Sequence, residues 1–136
     1  MKFTIHEDSV TTGTTFGDLS VSTNEEEGYR PFQLFISSLA GCSGTLLRTI
    51  LTKKRMDVAH MEILADYVRN PEEANRIEEI HFTACVQTDH SLTEKQAERI
   101  SQLVLTNCSM IQSVISSMEI TFNIHLIDEK HSSQEK

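Results

Sequence analysis

Pro31-Phe32-Gln33-Leu34-Phe35-Ile36-Ser37-Ser38-Leu39-Ala40-Gly41-Cys42-Ser43-Gly44-Thr45-Leu46-Leu47 is the stretch on which the fold is decided. Within and just beyond it, Phe35, Leu39, Cys42, Leu46 and Ile50 recur at steps of three and four, the spacing that gathers side chains on one helical face. Pro31 suits the first helical position, where its missing N–H leaves no bond unmade. The spacing therefore predicts a long helix with Cys42 turned inward. Gly41 and Gly44 each weaken that helix by about 1 kcal/mol relative to alanine. With Ser37, Ser38, Ala40 and Ser43 they form a small-residue middle that lets a neighbouring backbone approach. The run is almost uncharged, yet Gln33, Ser37, Ser38, Ser43 and Thr45 disfavour a lipid span, so the expectation is a buried helix.

Working outward, Lys53-Lys54-Arg55 reads as a set of cations offsetting the negative end of the helix macrodipole. On the N-terminal side, Phe3-Thr4-Ile5 and Phe16 to Val21 alternate as short strands, two or three in all, with Gly13 and Gly17 available for turns. Glu25-Glu26-Glu27-Gly28 is an exposed acidic loop. On the other side, Ala59, Met61, Ile63, Ala65 and Tyr67 alternate with polar residues, and so do Ile80, Phe82, Ala84 and Val86. The turn-forming Asn70-Pro71-Glu72-Glu73-Ala74-Asn75 between them predicts an antiparallel hairpin, with Cys85 on its opposite face. Thr93 and Gln96 resemble a capping box opening a second helix through Ala97, Ile100, Leu103 and Val104 to about Asn107. A shorter helix after Cys108 (Met110, Ile111, Val114, Ile115) and a last strand (Ile120, Phe122, Ile124, Leu126) follow, and the tail from Asp128 to Lys136 is expected to be flexible. This order predicts one α+β domain over residues 1–127 with a mainly antiparallel sheet.

The 136 residues are enough for one core, and 38% hydrophobic with 24% charged residues points to a soluble globule. A net charge of −8 argues against nucleic acid as a partner, since that affinity depends on cations displacing condensed counterions. Met1 to Asp8 has no basic start followed by an apolar stretch, so the chain is expected in the reducing cytoplasm with its cysteines as thiols. The three cysteines show no Cys-x-x-Cys and no histidine at ligand spacing, so a metal site is not expected. Gly41-Cys42-Ser43-Gly44 lacks the strand-to-helix elbow of a serine nucleophile. Cys85 reads as a small apolar residue in a core. Cys108 is different, because a thiol at a helix start feels unpaired backbone N–H groups that favour thiolate. Mid-helix Cys42 lacks that help and needs a neighbouring cation or base to be reactive.

The run Arg30-Pro31-Phe32-Gln33-Leu34-Phe35-Ile36-Ser37-Ser38-Leu39-Ala40-Gly41-Cys42 resembles the helix that carries the first cysteine of the OsmC/Ohr family. Asn107-Cys108-Ser109-Met110 falls where that family places its second, and the resemblance covers nearly the whole chain. It implies an OsmC-like α+β fold with a long central helix, as an intertwined homodimer whose N-terminal strands join the partner's sheet. It also implies reduction of organic hydroperoxides without a bound cofactor. The residue matching Cys42 would attack the peroxide and become a sulfenic acid, the one matching Cys108 would resolve it as a disulfide, and a dithiol or protein reductant would reset the pair. Two departures mark a divergent member. Phe32 stands where the family usually has glutamate, and no Arg or Lys lies between Lys2 and Arg30 to supply the usual thiolate-holding arginine. Arg30, directly before Pro31, is the candidate replacement. The alternative is a non-catalytic dimer that holds an apolar small molecule or acts as a slow redox sensor, a reading Phe32 supports.

Overall fold

The computed structural model describes residues 1–127, so the flexible tail expected from Asp128 lies outside the described residues. Its contacts divide into two compact units, Met1–Ser38 and the chain from Leu39 onward.

In the first unit, β1 (Phe3–Ile5), β2 (Val10–Gly13) and β3 (Asp18–Val21) form an antiparallel meander in that order. Phe16, expected in a strand, is instead fully exposed in the turn before β3. Two buried hydroxyls hold the meander: Thr12 donates to the Lys2 carbonyl at 2.8 Å, and Ser22 donates to that of Asp8. Gly28 is required by close approach, since a Cβ there would lie 2.6 Å from the Ser20 carbonyl oxygen. That oxygen accepts the Tyr29 N–H at 2.9 Å, which brings the acidic loop back against β3.

Helix α1 runs Pro31–Lys53, from the first unit into the second, as the spacing predicts. By length and composition it could cross a membrane, a property that core helices share. Its buried residues are Leu39, Ser43, Leu47 and Leu51, one step round from the expected stripe, which leaves Cys42, Leu46 and Ile50 only half-buried. The difference has a local cause. Ser43 can be buried because its hydroxyl returns to the Ala40 carbonyl at 3.3 Å. Gly44 then lets the strand that carries Ile63 close in, for a Cβ there would meet Ile63 Cδ1 at 3.0 Å.

The second unit carries a sheet in the order β4 (Val58–Asn70), β5 (Arg76–Thr88) and β6 (Glu119–Ile127). The β4–β5 hairpin is antiparallel and β5–β6 parallel, so three of the four strand pairings are antiparallel. A register shift between Val58 and His60 leaves Ala59 exposed, outside the alternation read for it. The inward residues Ile80, Phe82, Ala84 and Val86 are buried, and Phe82 meets Phe122 of β6 with ring centroids 6.3 Å apart. The crossover from β5 to β6 supplies α2 (Glu94–Asn107) and α3 (Ser109–Val114). Thr93 and Gln96 make the full capping box, and Ile100, Val104 and Ile111 complete the core.

Helix α1 ends in a left-handed cap. Arg55 has φ 58° while Met56 N–H donates to the Leu51 carbonyl at 3.1 Å and Arg55 N–H to that of Thr52 at 3.0 Å. Arginine holds this position at the steric cost that glycine avoids. Arg55→Gly should therefore raise stability by about 0.5–1 kcal/mol, read as a higher urea midpoint with an unchanged slope.

Candidate active site

A single break in helical continuity assembles the site. Cys108 closes α2, its N–H donating to the Val104 carbonyl at 2.9 Å, and in the same extended conformation (φ −76°, ψ 111°) opens α3. Its side chain turns into the core and is 1% exposed. The first turn of α3 thereby reaches half-buried Cys42 on α1. Cys42 Sγ lies 3.8 Å from Ser109 Oγ, the side chain next along the chain from Cys108. Two cysteines remote in sequence thus share one site, and all three cysteines are free thiols.

The electrostatics reverse the expectation drawn from helix position alone, that Cys108 is the activated thiol and Cys42 the unaided one. Cys42 titrates below the ordinary thiol value, chiefly because the backbone of Met110 hydrogen-bonds to it, then because Cys108 does, with Ser109 adding its side chain and backbone against the cost of burial. Cys108 titrates above it, first because burial disfavours its charge and then because Cys42 is the neighbour that ionises. The N–H groups expected to activate Cys108 act more strongly on the sulfur across from them. Cys108 caps the helix with its backbone while its own sulfur is desolvated. The two groups titrate as a pair in which Cys42 gives up the first proton.

Sequence reasoning placed both cysteines but missed Ser109 and Met110. A signal was present: a helix opening immediately after one cysteine can serve any thiol packed against it. Arg30 lies in the first unit, where its guanidinium is 3.7 Å from Glu25 and 4.9 Å from the centre of the Phe32 ring. Cys85 is on the outer face of β5, in register with Glu62 and His125. Among the described residues no three His, Cys, Asp or Glu side chains converge as metal ligands. A cleft of about 190 Å³ in the second unit is lined by Gly44, Leu47, Met61, Ile63 and Ala84, with Arg48 and Glu62 also on its wall.

The family model described as OsmC-like protein matches residues 23–123. A search of curated proteins finds no match. Among solved structures, a hypothetical protein from Aquifex aeolicus VF5 superposes with TM-score 0.80 at 23% identity, covering 94% of this chain and 95% of that one. An OsmC-like protein from Mycoplasma pneumoniae gives 0.74 at 14% identity, with 93% and 94% covered. An organic hydroperoxide resistance protein from Elizabethkingia anophelis gives 0.70 at 12% identity, again with 93% and 94% covered.

The lowered Cys42 value has a direct kinetic expression. Iodoacetamide should label Cys42 with a rate that rises with pH through a midpoint below the ordinary thiol value of about 8.5, while Cys108 stays unlabelled until the protein is denatured. Ser109→Ala should move the Cys42 midpoint upward, because a donor to the thiolate is lost.

Proposed function

The chain belongs to the OsmC-like family, and from that premise we propose that it reduces organic hydroperoxides through a thiol pair, with Cys42 as nucleophile and Cys108 as resolver. The observation that carries this reading is the convergence of half-buried Cys42, 3.8 Å from Ser109 at the start of α3, with buried Cys108 next along the chain, the first thiol drawn toward thiolate and the second away from it. Structural neighbours named as organic hydroperoxide resistance proteins supply the substrate class.

The chemistry divides between the two sulfurs. Cys42 thiolate attacks the terminal peroxide oxygen, the O–O bond breaks, and an alcohol leaves behind an oxidised Cys42. The Cys108 sulfur then attacks the Cys42 sulfenic acid, the S–O bond breaks, water leaves and the disulfide forms. A dithiol or a protein thiol returns both residues to thiols by exchange. No bound cofactor enters these steps.

The family's ion pair is replaced in this reading by neutral donors, the first turn of α3, and the half-buried position of Cys42 limits the desolvation they must offset. A role for Arg30 as a further stabiliser of the thiolate rests on the family resemblance alone. Assembly as a homodimer belongs to the same proposal. Its support is β4, an outer strand of its sheet that leaves Leu64, Tyr67 and Val68 exposed.

A second reading, a non-catalytic binder of an apolar small molecule, draws on the cleft beside Gly44. Its volume is about 190 Å³.

Stoichiometric cumene hydroperoxide should convert the purified protein to a species two hydrogens lighter, with a Cys42–Cys108 disulfide in the peptide map. Cys42→Ser should abolish consumption, and Cys108→Ser should stop at a dimedone-reactive Cys42. Retention of both free thiols after treatment would sink the reading. Sedimentation should give twice the chain mass; a monomer would remove the dimer from the proposal.

A further inference from the structure

Of the five methionines, Met56 is 9% exposed and Met61 and Met118 are half-buried, whereas Met110 is 42% exposed, second only to Met1 at 92%. Its place in α3 sets what it can meet. Successive side chains of a helix are about 100° apart, so Met110 projects between Ile111, which is fully buried, and Ser109, whose hydroxyl lies 3.8 Å from the Cys42 sulfur. On α1, half-buried Leu46 stands one turn on from Cys42 along the same face. The reactive thiol thus has apolar surface beside it, and an exposed thioether one residue along from its serine neighbour. We propose that Met110 is a modification site: an apolar hydroperoxide gathered beside Cys42 oxidises the Met110 thioether to the sulfoxide once the thiol pair is spent, and the polar product loosens the hold on the next hydroperoxide.

The step balances. The thioether lone pair forms an S–O bond to the terminal peroxide oxygen, the O–O pair departs on the alkoxyl oxygen, and the hydroxyl proton crosses to that oxygen so that an alcohol leaves. Met110 is oxidised by two electrons and one hydroperoxide is reduced. A methionine sulfoxide reductase, drawing two electrons from a dithiol, returns the thioether and releases water.

Nucleophilicity sets the order. Cys42 attacks as a thiolate and reacts first, whereas the neutral thioether is the slower sulfur. Met110 is therefore oxidised when hydroperoxide outruns the reductant that resets the thiols. Its sulfoxide is polar where the thioether is apolar and pliable. The hydrocarbon part of an organic hydroperoxide then loses a contact, which makes the modification a reversible brake that an excess of substrate applies.

The substrate class here rests on the peroxidase reading, and peptide mapping through a time course separates the two. In excess cumene hydroperoxide the disulfide should form first, and oxygen should then be added at Met110 before Met1, Met56, Met61 or Met118. With hydrogen peroxide, which has no hydrocarbon part, the more exposed Met1 should lead instead. Met1 leading with both oxidants makes exposure the whole cause and overturns the inference while the peroxidase reading stands; Met110 leading with both overturns the selection of an apolar oxidant. Oxygen added first at Met110 with no disulfide at any time overturns the peroxidase reading and leaves the modification in place. Dithiothreitol after the treatment restores the thiols but not the thioether. That protein should show a KM for cumene hydroperoxide raised about fourfold, the worth of one buried methylene, with kcat held, and methionine sulfoxide reductase should bring it back. An unchanged KM in protein oxidised at Met110 would overturn the brake.

Discussion

The contact between Cys42 Sγ and Ser109 Oγ, made where α3 begins against α1, is the one from which the site's chemistry follows. It brings Cys42 to the helix start that Cys108 opens, where the surroundings of the two thiols pull in opposite directions. The α3 backbone and Ser109 draw Cys42 toward thiolate, whereas the core holds Cys108 as a thiol. Each effect also bears on stability. The interactions of the Cys42 thiolate favour the folded state above the ordinary thiol value and fade as pH falls through its lowered value. Those of the Cys108 thiol are present below the ordinary value and fade as pH rises through its raised one.

That asymmetry is a packing result. α2 ends and α3 begins at a single extended residue, so the chain turns without a loop and delivers N–H groups from a helix only six residues long. Val104 and Ile111 are fully buried on either side of Cys108 and fix its sulfur in the core. On α1, the burial of Ser43 rather than Cys42 leaves the Cys42 sulfur at the margin of the packed face. A stripe centred on Cys42 would have buried both sulfurs and raised the cost of forming any thiolate there.

Much of this was legible in the sequence, for reasons that differ by element. The long helix, the hairpin, the Thr93 capping box and the last strand each declare themselves by local periodicity or by turn and cap chemistry, and all four are present. The rotation of α1 by about one residue was not legible. Leu39, Cys42 and Leu46 fit helical spacing as well as Leu39, Ser43 and Leu47 do, and the choice between them depends on Ser43 finding the Ala40 carbonyl and Gly44 admitting Ile63. The source of thiolate stabilisation was hidden for a similar reason. A helix start marks which donors exist, whereas the thiol that receives them is set by tertiary packing. Phe32 and the absence of a cation between Lys2 and Arg30 showed only that the family's usual ion pair had been lost.

Absorbance at 240 nm, which registers thiolate directly, tests the central claim without any peroxide. Titrated against variants lacking Cys42, Cys85 or Cys108, the native protein should show one thiolate forming below the ordinary thiol range and vanishing with Cys42→Ser, and another forming above that range and belonging to Cys108. Three thiols ionising together at the ordinary value, or the early thiolate belonging to Cys108, would contradict the account.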